Sequence, residues 1–282
     1  ATTASTATAT ATANATASTA TATATAMTTP SELGRWIRNF RPAPTARTRL
    51  VCFPHAGGSA SYFFPLATAL APEFDVHVVQ YPGRQDRYNE PCIDNIDDMA
   101  DAAFAALEPL TEVPVALFGH SMGAVLAFEV ARRMETLTGR QPVLVFASAS
   151  PAPSRYGDGW NDDVDFGDDG DVLGVMRDLG GTDPRLLNDP EMLATFLPAF
   201  RNDYRALQGY RRGTEVGISS PVIVMAANDD PKTSVADARA WHQHTSGGGD
   251  VHTFEGGHFY LEKQPQKVID LIAQKLRASE DI

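Results

Sequence analysis

Cysteine is nearly absent: the chain of 282 residues has two, Cys52 and Cys92. They offer no CxxC or other metal-type Cys/His spacing, and one pair gives no disulfide framework, so nothing points to an oxidising compartment. Long hydrophobic runs are missing too. No stretch of 18 apolar residues could span a bilayer, and the N-terminus has neither the basic nor the apolar region of an export signal. A cytoplasmic protein without membrane contact is expected. Basic residues are in deficit, 23 against 35 acidic, for a net charge of −12. That balance excludes a general nucleic-acid binder, which needs a broad basic face to displace counterions from phosphates. Residues 1–26 lack charge and large side chains altogether, holding 12 Ala, 11 Thr, 2 Ser and one Asn. Their Ala/Thr alternation imitates a strand but has nothing to bury on either face, so they are expected to be a disordered appendage or an artefact. The working domain is then 27–282, long enough for one large α/β domain.

From Arg49 onward, short β-branched runs alternate with longer helical patterns, the signature of a mostly parallel sheet with crossover helices. Strands are expected over 50–53, 76–80, 115–118, 143–147, 222–226 and 251–254, several of them near-continuous apolar runs, as when helices cover both faces of a sheet. Helices are expected over 62–70, 96–107, 124–135, 234–244 and 265–278, with Asp94 and Ser234 as caps for the second and fourth. The rhythm breaks between Ser150 and Pro221, an interval far beyond the usual αβ connection. It reads as a helical insertion over about 151–212, with helices at 172–179 and 191–207, laid over the carboxyl edge of the sheet. Its acidic run from Asp158 to Asp171 fits no calcium-loop ligand order and reads as a solvated loop. Trp160 and Phe166 either pack under the insertion or line a channel.

Gly119-His120-Ser121-Met122-Gly123 directly follows an apolar strand and directly precedes a helical run. In a strand-to-helix reversal this sharp, side chains at the flanking positions would clash, which is why glycines stand there; the serine is left exposed at the head of the helix. A serine hydroxyl needs a base, and the base needs a carboxylate to fix its tautomer and stabilise its charged form, in the chain order Ser, acid, His. His55, His77 and His120 precede the serine. Of the four that follow, His242 and His244 sit in a helical pattern and His252 alternates within the last strand. His258 follows Gly256-Gly257 in the loop after that strand and is the expected base. For the acid, the strand at 222–226 runs into Asn228-Asp229-Asp230-Pro231; Asp230 is favoured over Asp229. Backbone N–H donors for an oxyanion are expected from Met122, next to the serine, and from Ala56 in Phe53-Pro54-His55-Ala56-Gly57-Gly58. His55 reads as a loop-shaping residue.

The stretch Cys52-Phe-Pro-His-Ala-Gly-Gly-Ser-Ala-Ser-Tyr-Phe, with Gln80-Tyr-Pro-Gly-Arg, Gly119-His-Ser-Met-Gly-Ala, Asn228-Asp-Asp-Pro and Gly256-Gly-His-Phe, resembles the stand-alone type II thioesterases of polyketide and nonribosomal peptide pathways. The likeness spans about Trp36 to Leu276, and the PHAGGSA and YPGR segments are far more specific than GxSxG. It implies an α/β-hydrolase with a helical lid. The implied activity is removal of stalled or aberrant acyl groups from the phosphopantetheine arm of an acyl carrier or peptidyl carrier protein. Ser121, Asp230 and His258 would form the triad and Ala56 and Met122 the oxyanion hole, with no metal or cofactor. One departure is Ala227, where such sequences usually have glycine. Carrier proteins are acidic, so docking would need a basic locale; Arg84, Arg87, Arg132, Arg133, Arg211 and Arg212 are candidates. A monomer is expected. With no carrier domain ahead of Met27, a cyclising domain embedded in a synthase is disfavoured. Competing readings are a general small-molecule carboxylesterase and a hydrolase-fold binding protein without catalysis.

Overall fold

The computed structural model describes residues 30–157, 160–161, 163–182 and 185–281. The Ala/Thr segment 1–26 and Asp158 lie outside them. Seven strands form one sheet in the order β1-β3-β2-β4-β5-β6-β7. They are β1 (Ile37–Arg38), which directly follows helix α1 (Pro30–Trp36), β2 (Arg49–Phe53), β3 (Asp75–Val79), β4 (Val115–His120), β5 (Leu144–Ser148), β6 (Val222–Ala227) and β7 (Val251–Phe254). All neighbours run parallel except β1, which pairs antiparallel with β3 at the edge. The six expected strands are present; β1 is too short to leave a period in the sequence.

Every residue of β3, β4, β5 and β6 is buried. Because successive side chains in a strand point to opposite faces, the strands sort their residues between two cores. Val51, Phe53, Leu117, Val145, Ala147 and Val224 pack with α3 (Ile96–Leu107) and α4 (Met122–Arg133). Leu50, Cys52, Val78, Phe118, Phe146 and Met225 face the other way, toward α2 (Phe64–Leu70) and α9 (Pro265–Glu280). Cys52 and Cys92 are free thiols.

Several helix starts differ from expectation for local reasons. α3 is capped by Asn95, whose side chain accepts from Asp98 N at 2.7 Å, and Asp94 lies one residue outside the cap. Ser234 does cap α7 (Val235–Arg239), its hydroxyl accepting from Asp237 N at 3.0 Å, but the helix tightens into a 3-10 turn over Ala240–His244. That turn buries Trp241 and His244. At α2 the chain enters through a 3-10 turn, Ala60–Phe63, and Pro65 in the first turn marks where the regular helix begins.

The connection from β5 to β6 carries α5 (Asp169–Leu179) and α6 (Pro190–Gly209), both longer than the sequence pattern suggested. Aspartates cap them: Asp168 accepts from Asp171 N and Asp189 from Glu191 N and Met192 N. The acidic run thus supplies the cap of α5, and Asp169 pairs with Arg201 of α6. The apolar face of α6 buries Leu197, Phe200, Tyr204 and Leu207 in the same core as α4. Phe166 and Trp160 pack there: Tyr204 lies 4.6 Å from Phe200, 5.0 Å from Phe166 and 6.2 Å from Trp160, ring centre to ring centre. Such pairs contribute roughly 0.5–1.5 kcal/mol each beyond area burial. Two helices close the fold around the last strand, the short α8 (Tyr260–Lys263) and then the 16-residue α9.

Candidate active site

The carboxyl ends of β2, β4, β6 and β7 converge on one edge of the sheet. β4 ends at His120 and α4 begins at Met122, so Ser121 makes the whole reversal, with φ 57° and ψ −121°. A non-glycine residue here is strained by about 1–3 kcal/mol, and the surroundings hold it. Its N–H is bonded to the Ser148 carbonyl at 2.8 Å. The flanking glycines are there for space rather than for unusual dihedrals. A Cβ on Gly119 would sit 2.1 Å from the Gly123 carbonyl oxygen, and one on Gly123 would sit 1.9 Å from the Phe53 carbonyl oxygen. Backbone on both sides leaves nowhere to move. Ser121 therefore heads a 12-residue helix whose first N–H groups and dipole favour negative charge.

Against this elbow lies the loop after β2. The Gly58 N–H bonds to the His55 carbonyl at 2.9 Å, Tyr81 donates to the Pro54 carbonyl at 3.1 Å, and Gly57 takes φ +72°. The His55 ring packs on Tyr62 at 4.5 Å and Phe259 at 4.9 Å. Burial, reinforced by His258 and Arg84, pushes its pKa down to about 3, so His55 is a neutral wedge. Among the described residues no acceptor is bonded to the N–H of Ala56 or of Met122.

The loop after β6 carries Asp230 and the loop after β7 carries His258. Asp229 is exposed, whereas the Asp230 side chain is fully buried and bonds His258 Nδ1 at 2.8 Å. Asp230 Oδ1 accepts from Lys232 N at 2.9 Å and Thr233 N at 3.3 Å, so the carboxylate is held from both ends. The two loops are tied by Asp229 N to the Gly256 carbonyl at 3.0 Å, with Gly256 at φ +106°. The ring of His120, the residue before Ser121, lies 5.2 Å from that of His258. His120 bonds Ser148 Oγ at 2.9 Å, which in turn bonds the Tyr260 hydroxyl at 2.6 Å. Burial, then the neighbouring His258 and His55, pushes His120 well below its ordinary range.

The remaining histidines lie away from this edge or at the surface. His244 bonds the Val216 carbonyl and Ser154, and His242 is exposed. His77 also meets an aspartate, Asp75, at 2.8 Å, but at the amino end of β3, away from the edge where Ser121 lies.

A cavity of about 610 Å³ opens between the β2 loop and the insertion. One wall is Ala56, Gly57, Gly58, Tyr62 and Arg84; the other is Met176, Leu179, Phe196 and Phe200. Ser121 and His258 are not in its lining, so it meets the site through Ala56 and Phe259.

Two of the arginines expected at a docking surface are not on the surface. Arg84 and Arg87 are each 5% exposed. Arg84 makes a two-pronged ion pair with Asp203 of α6, at 2.6 and 3.0 Å, and Arg87 binds the Gln80 carbonyl and Glu90. Arg132, Arg133 and Arg212 converge on the fully buried Glu129, and the latter two also meet Asp97. Arg211 donates to the Gln208 and Tyr210 carbonyls. Sequence reasoning also missed Asp203; the only signal was a lone carboxylate in the apolar series Phe196, Phe200, Tyr204, Leu207.

A sheet in this order, with a serine on the turn after β4, an acid after β6 and a histidine after β7, defines an α/β-hydrolase. Residues 48–276 match the thioesterase domain family, and the chain belongs to it. It is 43% identical over 244 residues, 86% of each chain, to the thioesterase PikA5 of Streptomyces venezuelae. To the probable cadicidin biosynthesis thioesterase of Streptomyces griseus it is 42% identical over 249 residues, 88% of this chain and 68% of that one. Among solved structures, the type II thioesterase BorB from the borrelidin biosynthetic cluster is 44% identical, with a TM-score of 0.76 over 85% of this chain and 96% of that one. Among the described residues no helix is long and apolar enough to cross a membrane.

Proposed function

We propose that the chain hydrolyses acyl thioesters on the phosphopantetheine arm of acyl or peptidyl carrier proteins in polyketide or nonribosomal peptide synthesis. In that setting it clears stalled or aberrant acyl groups. The observation that carries the reading is the buried 2.8 Å bond between His258 and Asp230 on the sheet edge that bears the Ser121 elbow. The relatives support the pathway: PikA5 is a thioesterase and BorB a type II thioesterase of a biosynthetic cluster.

Asp230 holds the proton of His258 on Nδ1 and leaves Nε2 as the base. His258 takes the Ser121 hydroxyl proton as Oγ attacks the thioester carbonyl carbon. The resulting oxyanion accepts from the Ala56 N–H in the loop after β2 and from the Met122 N–H at the head of α4. The intermediate collapses by breaking the C–S bond; His258 returns the proton to the departing thiolate, and the acyl group stays on Ser121. Water, deprotonated by His258, attacks that ester through a second tetrahedral intermediate, releasing the carboxylic acid and restoring the hydroxyl. Because His55 and His120 stay neutral, neither adds a positive charge beside the His258 imidazolium.

The segment 151–212 acts as a lid, and the 610 Å³ cavity beneath it, of a size ordinary for small-molecule sites, takes the acyl chain. The test is hydrolysis of propionyl and longer acyl groups on a carrier protein, against the same acyl groups on a simple alcohol. A clear preference for the carrier thioester is expected, abolished in Ser121→Ala. Equal turnover of the alcohol esters would sink the substrate assignment, and full activity of Ser121→Ala the site.

A further inference from the structure

Asp203 is a fully buried carboxylate on the insertion helix α6, and the hydrolysis steps above make no use of it. Its Oδ2 accepts from the Gly57 N–H at 2.8 Å and from Arg84 at 2.6 Å; its Oδ1 accepts from the other Arg84 prong at 3.0 Å. Arg84 also donates to the carbonyls of Gly58, at 3.3 Å, and Pro82, at 3.1 Å. One turn earlier on the same face of α6, Phe200 presses on the same glycine: a Cβ at Gly57 would come within 3.0 Å of its side chain. The peptide following Ala56 is therefore held by α6 through one side chain that packs on it and one that bonds it.

We propose that Asp203 is a positioning residue for the oxyanion loop, so that the Ala56 N–H is aimed correctly only while α6 is seated. Arg84 is its counter-ion and ties both to the turn after β3. The inference rests on the reading of Ala56 as an oxyanion donor. A carboxylate is suited to the task because a charge-assisted bond is shorter and stiffer than a neutral one. Burying it is tolerable because Arg84 neutralises it with matched two-pronged geometry. When α6 lifts to admit an acyl chain, the Gly57 N–H loses its acceptor. When α6 reseats, the hole is reassembled around the bound thioester, which couples substrate enclosure to competence.

Removing one ion partner alone would strand a buried charge, so the test uses paired substitutions. Arg84→Met with Asp203→Leu replaces the pair by apolar side chains, a change that buried ion pairs often tolerate. Arg84→Gln with Asp203→Asn keeps a neutral acceptor for Gly57. With the propionyl thioester of N-acetylcysteamine as substrate, the first variant should lose about 10²-fold in kcat, the cost of a misplaced catalytic group, with KM nearly unchanged. The second should recover most of that loss. A trifluoromethyl ketone, whose adduct with serine places an oxyanion in the hole, should weaken in parallel with kcat, while the carboxylate product should not. A folded Met/Leu variant with wild-type kcat would overturn the proposal. Should that variant not fold, the amide NMR signal of Gly57 in the unmodified protein decides: a downfield, exchange-protected N–H supports the bond, and an unshifted, unprotected one overturns it. Activity surviving in Ser121→Ala would instead condemn the site reading, leaving a separate signature.

Discussion

Asp230→Asn tests how the tautomer of His258 is set. The native carboxylate serves three donors: Oδ1 takes the Lys232 and Thr233 N–H groups, and Oδ2 takes His258 Nδ1–H. An amide has one acceptor oxygen and one NH2 group. The two backbone donors cannot turn away, so the asparagine oxygen must face them and its NH2 must face the imidazole. His258 then accepts at Nδ1 and carries its proton on Nε2, the nitrogen that should receive the serine proton. Shape and burial are almost unchanged, so the fold survives while the base is lost. A wrong tautomer of this kind costs about 10⁴-fold in kcat, which at 1.36 kcal/mol per tenfold is about 5.4 kcal/mol of barrier. Thiol release from an acyl thioester measures the rate, and a thermal melt beside it should show the fold intact. Asp229→Asn, one residue away and exposed, should leave the rate within about twofold. A folded Asp230→Asn enzyme within tenfold of the native rate would refute the assignment of acid and tautomer together.

Two further substitutions follow from sterics and from charge. Gly123→Ala drives a methyl group into the Phe53 carbonyl at 1.9 Å, with the Pro54 carbonyl 2.8 Å away; a cost of about 3 kcal/mol or more is expected, lowering Tm by roughly 6–12 °C. Gly174→Ala in α5, where nothing lies within 4 Å, should instead stabilise by about 0.5–1 kcal/mol. Equal melting temperatures for the two variants would contradict the packing argument. His55, half-buried and neutral, has a folded pKa of about 3 against an ordinary value of 6.5. Between those limits the unfolded chain binds a proton that the native state refuses, so stability falls as pH falls, by about 1.36 kcal/mol per pH unit for this group. Denaturant titrations between pH 7 and 4 should show a shallower slope in His55→Gln; an unchanged slope would mean that His55 is not held neutral.

Much of the fold was readable because its signals are local. The strands announce themselves as apolar runs, since helices cover both faces, and the GxSxG turn is contiguous in sequence. His258 and Asp230 stood out for the same reason, each lying in a short loop just past a strand. What escaped the sequence is what depends on tertiary partners. Arg84 reads as a surface cation until Asp203, 119 positions away in the chain, cancels its charge in the interior. Asn95 displaces Asp94 as a cap because the cap is decided by which residue turns extended at the helix mouth. The two-residue β1 exists only because β3 offers an edge to pair with.

The contact between the Gly123 backbone and the Phe53 carbonyl has a consequence for how such enzymes change. It joins the segment that carries Met122 to the segment that carries Ala56, at a distance that admits no side chain. The two segments are thus one mechanical part, assembled from stretches far apart in the chain. Neither can drift or be transplanted alone. A designer moving the PHAGG loop into another hydrolase must bring its serine turn along, and natural recombination within this family should respect the same seam, leaving α5 as the piece free to vary.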